Sequence, residues 1–351
     1  MRSMIRPEDL LCPRPAGLYC PPGDFYIDPV RPVARAVITH GHADHARAGH
    51  GAAAATPQTL RIMAERYGEA FAERREPADY GQTFGRDGVE VTLVPAGHVL
   101  GSAQAVVRWR GLTMVVSGDY KRRRDPTCAP FEPVPCDVFI SEATFGLPVF
   151  THPDDAGEIA RLLRSVAQFP ERAHLVGAYA LGKAQRVIRL LREAGWTRPV
   201  YVHGALERLN RLYESEGVAL GPIEPAPLAP CSGALPGEIV LAPPSAIADR
   251  WARRFADPVT AFASGWMGVR ARARQRGVEL PLVISDHADW AELIATFTEL
   301  RPGELWITHG REEGLLRWAE LNGMKARALR LVGYEDEGGE DAPAAQATER
   351  A

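Results

Sequence analysis

The sequence predicts an α/β fold in which one unit is interrupted by a second. Its 351 residues exceed what a single hydrophobic core usually serves. Short apolar runs rich in Val and Ile, bounded by turn residues, indicate buried strands. These runs occupy residues 34–39, 89–95, 103–109, 113–117 and 138–141. From Thr151 the pattern of residues changes. Strand-like runs of the first kind return at 280–285 and 304–308, and His287 and His309 come directly after them or one residue later.

The middle of the chain predicts an inserted α/β unit. Helical patterns cover residues 154–169 and 182–194, and strand-like runs begin at His174 and Val200. A Pro-rich passage over residues 222–236 indicates a loop or edge, because proline cannot donate to a strand ladder. The predicted division is a first part at 1–150, the insertion at 151–268, a completing part at 269–334 and a disordered acidic tail at 335–351.

Composition places few limits on the function. The charged fraction of 24% is that of an ordinary globular protein. No apolar stretch approaches the roughly 20 residues of a membrane span, and the N-terminus lacks the apolar core of a signal peptide, so a cytoplasmic protein without a membrane partner is expected. A net charge of -3 gives no global attraction to a polyanion, so any nucleic-acid binding must depend on local basic patches or metal ions. The five cysteines form no Cys-x-x-Cys pair, which argues against a thiolate zinc site.

The segment His40-Gly-His42-Ala-Asp44-His45 predicts a metal site. Four potential ligands fall within six residues, directly after a predicted strand. Imidazole and carboxylate suit zinc and also manganese, and the small residues between them let alternate side chains reach two neighbouring ions.

Two cations need more ligands than this segment can supply. His98 lies in a glycine-flanked loop after a predicted strand, Asp119 ends the run Val-Val-Ser-Gly-Asp, and His309 follows another strand in Thr-His-Gly. Because all three follow strands, we expect them at the same rim of the fold.

The order of these motifs resembles the metallo-β-lactamase superfamily, including an upstream aspartate, Asp28, in Phe-Tyr-Ile-Asp-Pro. The resemblance implies an αββα sandwich around two divalent metal ions, zinc in the first place and manganese as the alternative. It implies that Asp119 bridges the ions and that Asp28 supports the His-rich loop from behind. The ligands it implies are His40, His42 and His98 for one ion, and Asp44, His45 and His309 for the other.

Three later motifs resemble the β-CASP nucleases of that superfamily. Ser-Glu142-Ala-Thr-Phe145-Gly is similar to their Glu-x-Thr-Tyr-Gly motif, with phenylalanine in place of tyrosine. Ser-Asp-His287 is similar to their Ser-x-His motif, and His309-Gly-Arg311-Glu to their His-Gly-Glu element with an arginine inserted. The resemblance implies an inserted β-CASP domain and a Glu142–His287 pair beside the metals.

Several basic or glycine-containing segments are candidate phosphate contacts. The run Ala-Leu-Gly-Lys-Ala-Gln is similar to a β-CASP element, and a glycine that opens a helix exposes backbone N–H groups to an anion. Basic residues also follow Asp119 and precede the His287 segment. The candidates are Gly182, Lys183, Lys121, Arg122, Arg270 and Arg272.

The N-terminal stretch 17–45 narrows the resemblance to bacterial ligase-associated DNA damage response exonucleases. It implies a DNA repair role and functional association with a DNA ligase and a helicase. Proteins of that kind are also labelled mRNA 3′-end processing factors, so DNA is favoured but RNA stays open.

The predicted activity is exonucleolytic hydrolysis of DNA phosphodiesters by a hydroxide that two metal ions activate. Asp44 orients the attacking oxygen, and His287, oriented by Glu142, protonates the leaving oxygen as general acid. Three alternatives share the metal motifs: an RNA-processing β-CASP ribonuclease, a hydrolase of small thioesters or lactones, and an inactive scaffold that binds nucleic acid.

Overall fold

The computed structural model describes residues 5–227 and 235–331 of the chain. The predicted tail at 335–351 lies outside the described residues, as does Cys231. The strands are β1 Cys12–Arg14, β2 Gly17–Cys20, β3 Phe25–Ile27, β4 Arg35–Val37, β5 His50–Ala55, β6 Ala72–Pro77, β7 Thr83–Arg86, β8 Val89–Pro95, β9 Ala103–Trp109, β10 Leu112–Val116, β11 Val138–Ala143, β12 His174–Gly177, β13 Val200–Val202, β14 Ile223–Pro225, β15 Ile239–Ala242, β16 Val259–Ala263, β17 Leu280–Leu282, β18 Glu304–Gly310 and β19 Ala326–Ala328. The helices are α1 Pro7–Leu10, α2 Pro57–Tyr67, α3 Asp155–Gln168, α4 Lys183–Glu193, α5 Gly204–Ser215, α6 Pro244–Ala248, α7 Arg270–Arg276, α8 Trp290–Leu300 and α9 Glu312–Leu321, with 3-10 turns at Arg250–Arg254 and Gly265–Gly268.

Two mixed sheets form a sandwich. The first has the order β1-β2-β3-β4-β5-β6 and the second the order β19-β18-β11-β10-β9-β8-β7. Alternate residues of the central strands, such as Val91, Ala105 and Ile140, meet Leu18 and Val37 of the opposite sheet in one core. This packing places the ends of β4, β10 and β11 at a common rim.

Helices cover both outer faces of the sandwich. On the first sheet, α2 packs Leu60 and Met63 against β4 and β5, after Thr56 caps it and proline occupies its first turn. On the second sheet, Leu293 and Phe297 of α8 pack against Phe139. Sheets buried on both faces explain the nearly continuous apolar runs of the sequence. The predicted αββα arrangement is confirmed.

A third sheet forms the inserted unit. It is wholly parallel, with the order β14-β13-β15-β12-β16-β17. Helices α3, α4 and α5 bury one face of it through residues such as Leu162, Val187 and Leu206. The same core includes Ile62 of α2 and Leu100, so the insertion packs directly on the sandwich. The α/β character predicted for the insertion is confirmed.

One expected strand lies in a different sheet from the one predicted. The run 280–285 was expected to return to the first unit, but only Leu280–Leu282 is a strand, and it pairs with Val259–Ala263 in the third sheet. Its apolar residues complete the core of the insertion, and the second sheet resumes only at Glu304–Gly310. We therefore propose that the insertion ends after Leu282 and not at residue 268.

Within the described residues, none of the helices combines the length and apolar character that crossing a membrane requires.

Candidate metal centre

The His-rich segment lies on the loop that follows β4. The guanidinium of Arg66, near the end of α2, donates a 2.7 Å hydrogen bond to the carbonyl of Gly41. A Cβ at Gly41 would lie 2.6 Å from the side chain of Ile62, so only glycine allows this close packing. Helix α2 therefore holds the loop in place at the end of β4.

Asp28 supports this loop from behind. It adopts a left-handed backbone conformation, φ 44°, just after β3. Its carboxylate accepts from the Thr39 backbone N–H at 2.7 Å, from Thr39 Oγ1 at 2.5 Å and from His45 Nδ1 at 2.8 Å. A carboxylate on the outer imidazole nitrogen orients the ring and leaves Nε2 to face inward.

Four buried or half-buried side chains converge in a first cluster: His40, His42, His98 and Asp119. Their candidate ligand atoms lie within 4.8 Å of one another. Oδ2 of Asp119 is 3.3 Å from His40 Nε2 and 3.7 Å from His98 Nε2. Residues that are separated by up to 79 positions in the chain thus share one small volume, as the sequence predicted.

The outward-facing nitrogens show which imidazole atoms carry hydrogen. His98 Nδ1 lies 2.9 Å from the backbone carbonyl of Asp286, which can only accept, so Nδ1 donates. Thr39 Oγ1 donates to Asp28 and therefore accepts from His40 Nδ1 at 3.1 Å. The Nε2 atoms of His40 and His98 consequently present lone pairs to the interior of the cluster.

His42 adds a third inward lone pair. Its Nε2 lies 3.4 Å from the carbonyl of Leu181, so its Nδ1 faces inward, 2.9 Å from His98 Nε2. Two imidazole lone pairs at that separation repel each other unless a cation or a proton lies between them.

A second cluster shares Asp119 with the first. His45, Asp119 and His309 bring their candidate ligand atoms within 4.8 Å of one another. His45 Nε2 is 3.4 Å from Asp119 Oδ2 and 3.6 Å from Asp44 Oδ2. His309 ends β18 in a left-handed conformation, φ 52°, and its ring centre is 5.1 Å from that of His45. Asp119 is therefore the member common to both clusters.

Four of the five imidazoles in the two clusters are neutral. The fifth, His45, is the exception, because despite its burial Asp119, Asp44 and Asp28 raise its pKa well above the ordinary value. Burial lowers the pKa of His42 to about 4 and that of His309 to about 3, and it lowers the pKa of His40 and His98 well below the ordinary value. These rings are therefore neutral, which is the form that binds metal. Burial raises the pKa of Asp119 to about 7, because it removes water from the charged carboxylate, and His45 and His287 only partly oppose this shift.

The fit of a metal ion can be judged from atoms that lack partners. His40 Nε2 and Asp119 Oδ2 are buried and make no hydrogen bond within residues 5–227 and 235–331. Buried polar atoms are normally satisfied, so two adjacent exceptions require an explanation. Nitrogen and carboxylate ligands at this density match the zinc donor set, and these residues fit divalent cations.

Glu142 and His287 form a pair beside the clusters. Glu142 Oε2 lies 2.9 Å from His287 Nδ1, and its Oε1 accepts from the Tyr120 backbone N–H at 2.7 Å. The His287 ring centre is 4.7 Å from that of His98. Ligand atoms of Asp119, Glu142 and His287 also lie within 4.8 Å of one another, so the predicted pair lies next to the carboxylate shared by both clusters.

A tight turn brings Asp119 to this position. Gly118 has φ 56°, and a Cβ there would lie 2.8 Å from Thr39. The Ser-Gly-Asp sequence thus lets the end of β10 approach the end of β4, which a larger residue would prevent.

The glycine-led helix start does not present the free N–H groups that were predicted. The Gly182 N–H donates to Gln185 Oε1 at 2.8 Å, the Lys183 N–H to the Leu181 carbonyl, and the Ala184 N–H to the Tyr179 carbonyl. The structure therefore argues against the predicted anion site at Gly182, because the backbone N–H groups of this turn already have partners.

The structure also argues against the phosphate contacts that were predicted for two lysines. Lys121 is 1% exposed, and its Nζ donates to Asp125 at 2.8 Å. Lys183 is 4% exposed and donates to the Ile284 carbonyl at 2.9 Å. Both ammonium groups are committed to buried partners, so neither is available to a phosphate.

The remaining arginine candidates stay predictions. Arg122 pairs with Glu299 of α8 at 2.5 Å. Arg270 is exposed, and the Arg272 guanidinium lies 3.8 Å from the ring centre of Trp266.

Two residues near the site were not identified from the sequence. Asp286, beside His287, offers the carbonyl that orients His98, and the wholly buried Arg186 bonds the Asp286 carboxylate at 3.2 Å. For Asp286, the sequence did offer a signal, since Ser-Asp-His-Ala-Asp has an acidic residue directly before the histidine and another two residues after it. Arg186 gave none, because a helical arginine resembles any exposed cation in sequence.

Replacing Asp28 by Asn is expected to weaken metal binding about 10–100-fold. The amide N–H₂ of asparagine would face groups that donate hydrogen bonds to the carboxylate in the parent chain, and it cannot accept them. Competitive zinc titration of the metal-free chain measures this. Asp24→Asn is the matched control, because Asp24 also has positive φ but is exposed and pairs with Arg35. Equal zinc affinity in both variants would contradict the supporting role of Asp28.

Sequence comparisons identify similar proteins. Residues 28–173 match the family described as Metallo-beta-lactamase superfamily. A probable DNA ligase from Opitutus terrae is 28% identical over 319 residues, covering 86% of this chain and 30% of that protein. Endoribonuclease ysh1 of Aspergillus fumigatus is 34% identical over 129 residues, 35% of this chain and 15% of that protein. Cleavage and polyadenylation specificity factor subunit 3 of Dictyostelium discoideum is 34% identical over 135 residues, 37% of this chain and 17% of that protein. The matches span at most 30% of these relatives' lengths.

A solved structure shares the fold. The crystal structure of a protein of unknown function from Enterococcus faecalis V583 aligns with a TM-score of 0.55 at 13% identity, covering 86% of this chain and 80% of that chain. This likeness concerns the fold alone.

Proposed function

Since the chain carries a metallo-β-lactamase domain homologous to β-CASP nucleases of the Ysh1 type, we propose that it is a metal-dependent nuclease. The observation that carries the proposal is the Glu142–His287 pair beside two clusters of candidate metal ligands that share Asp119. The two parts together suit phosphodiester hydrolysis, in which water is activated and a poor leaving group gains a proton.

Seven residues would hold two divalent cations. When bound, such ions lower the pKa of water towards neutrality and offset charge on phosphoryl oxygens. Zinc is the first choice for a set of imidazole and carboxylate ligands, and manganese is the alternative. The proposed ligands are His40, His42 and His98 on one side, Asp44, His45 and His309 on the other, and Asp119 between them.

Asp44 would also orient the attacking water. Its side chain is 39% exposed, so water and a substrate can reach it. Despite burial, which opposes ionisation, His45 and His42 lower the pKa of Asp44 to about 2. The carboxylate therefore accepts a hydrogen bond at any physiological pH.

His287 would protonate the leaving oxygen. Glu142 accepts from Nδ1, which leaves Nε2 as the atom that delivers the proton. The carboxylate also stabilises the charged imidazolium before transfer, and the Tyr120 N–H keeps Glu142 in place. A substrate with a poor leaving group, such as a nucleotide sugar oxygen, gains most from this pair.

We further propose DNA as the substrate and exonucleolytic repair as the role. The support is the N-terminal resemblance and the probable DNA ligase, whose match extends over 86% of this chain. RNA is the second candidate, supported by the endoribonuclease relatives over a smaller part of the chain.

A chelator-sensitive nuclease assay tests these proposals. Single-stranded DNA and RNA, each labelled at the 5′ or the 3′ end, are incubated with the purified chain and zinc or manganese. We expect DNA to shorten from one end, with loss of activity in chelator and recovery on metal addition. His203→Ala serves as a control for histidine loss, because His203 caps α5 through its Nδ1.

Each other result identifies a different function. Preferential cleavage of RNA would replace the DNA proposal with RNA processing. Binding of nucleic acid without cleavage would indicate an inactive scaffold. No binding, with hydrolysis of small thioesters or lactones, would refute the nuclease proposal.

A further inference from the structure

The segment that precedes His287 is held by charged side chains of the inserted unit. The Val283 N–H donates to Glu158 Oε2 of α3 at 2.7 Å. Lys183 of α4 donates to the Ile284 carbonyl at 2.9 Å, and the Arg186 guanidinium donates to the Ser285 carbonyl. Three consecutive backbone positions thus have partners on α3 or α4.

Asp286 continues this series with its carboxylate. Oδ2 lies 3.0 Å from Lys183 Nζ, and Oδ1 lies 3.2 Å from the Arg186 guanidinium. The carboxylate is therefore fixed between two cations of one helix.

The ion pairs extend into a buried six-charge cluster. Arg186 also contacts Asp155 of α3 and lies 3.4 Å from Asp125, which pairs with Lys121 of the sandwich. Three cations balance three carboxylates, so the cluster is neutral when complete. Removal of one member leaves an uncompensated buried charge, which is far costlier than the loss of a surface ion pair. The cluster therefore links the insertion to the sandwich through buried ion pairs.

The backbone of this segment reaches both parts of the candidate site. The Asp286 carbonyl accepts from His98 Nδ1 at 2.9 Å, which fixes the orientation of that ring. Ser285 Oγ accepts from the His287 N–H at 3.1 Å and donates to the His287 carbonyl at 3.0 Å. A shift of residues 285–286 would therefore move His98 and His287 together.

We propose that Arg186, with Lys183, is a positioning residue that aligns His98 for metal binding and His287 for proton transfer. This inference rests on the proposed function, in which His98 is a ligand and His287 an acid. Through these contacts the inserted unit completes the metal centre without touching a metal ion. The helix start that resembled a phosphate site thus has a different role.

Arg186→Met tests the proposal. It removes the contacts to Ser285 and Asp286 and should weaken zinc binding about 10–100-fold, as loss of an outer partner of a metal-binding histidine does. Cleavage of a native phosphodiester should fall more than cleavage of a nitrophenyl phosphodiester, because His287 is also displaced. Arg192→Met is the matched control, since Arg192 lies on the same helix but binds the Leu220, Trp196, Arg198 and Pro222 carbonyls within the insertion.

A second variant and a metal-independent measurement keep the test decisive. Arg186→Met combined with Asp155→Asn restores neutrality, so it should fold even if the single variant does not.

Imidazole N–H resonances of the metal-free, ¹⁵N-histidine-labelled full chain report the His98 ring directly, and the His98→Gln variant assigns its signal. We expect the protected His98 signal in the parent chain and in Arg192→Met, and its loss in both Arg186 variants.

The two proposals fail in different ways. An unchanged His98 resonance and unchanged zinc affinity in the Arg186 variants would overturn the positioning role. A parent chain that shows the resonance but cleaves no nucleic acid would refute the nuclease function, while the loss of the resonance in the variants would still support the positioning of His98.

Discussion

Asp119→Asn is expected to abolish hydrolysis and to reduce the bound metal. Asp119 belongs to all three groups of candidate ligands found among the described residues, and its Oδ2 lies within 3.7 Å of His40, His45 and His98. An amide of the same shape has one neutral oxygen and cannot replace a charged bridge between two cations. Loss of one preorganised electrostatic contact typically costs about 10²–10³-fold in kcat, and this change weakens both cation sites at once.

Metal analysis and phosphodiesterase assays measure this effect together. His42→Ala should also remove activity but should spare the cluster of His45 and His309, so it is expected to lose less metal. Asp137→Asn is the control, since Asp137 is exposed just before β11. Within the described part of the chain, its carboxylate accepts a hydrogen bond from the Thr113 N–H. Normal metal content and turnover in Asp119→Asn would exclude the proposed bridge.

His287→Ala is expected to separate metal binding from catalysis. The variant should retain the metal content of the parent, because the proposed ligands remain. It should cleave native phosphodiesters about 10²–10⁴-fold more slowly, the usual contribution of a general acid. A nitrophenyl phosphodiester should be cleaved at nearly the parent rate, since its leaving group needs no proton.

The ratio of the two rates is the decisive readout. In Glu142→Gln this ratio should lie between the values for the parent and for His287→Ala. The glutamine oxygen can still accept a hydrogen bond from Nδ1, but it lacks the charge that stabilises the imidazolium. His203→Ala should leave the ratio unchanged. If both substrates slowed equally in His287→Ala, His287 would not be the acid, and a structural role would explain the loss.

Much of the fold could be predicted from the sequence. Strands buried on both faces, such as Val89–Pro95 and Ala103–Trp109, have nearly continuous apolar runs and were predicted with the bounds observed. Strand His50–Ala55 was not predicted, because four consecutive alanines have little intrinsic preference for strands. Pairing with strands on both sides compensates for that weak preference.

The candidate ligands could also be predicted, since their chemistry is local. Four ligands within His40–His45, and a histidine or aspartate after each of several strands, are visible in one dimension. Parallel strands and tight glycine turns then bring them to one rim, as at Gly118. The sequence by itself determined which residues form the candidate centre and the kind of ligand that it would hold.

Only the tertiary structure decided the role of the charged residues around that centre. Lys121, Lys183 and Arg186 resemble solvated cations or phosphate contacts in sequence. Their burial depends on carboxylates such as Asp286, about 100 residues further along the chain from Lys183 and Arg186. Helical periodicity cannot distinguish a helix that faces water from one that faces another domain, because both place charges at the same spacing. The partner across the interface supplies the missing information, and it converts expected ligand contacts into a buried framework that positions His98 and His287.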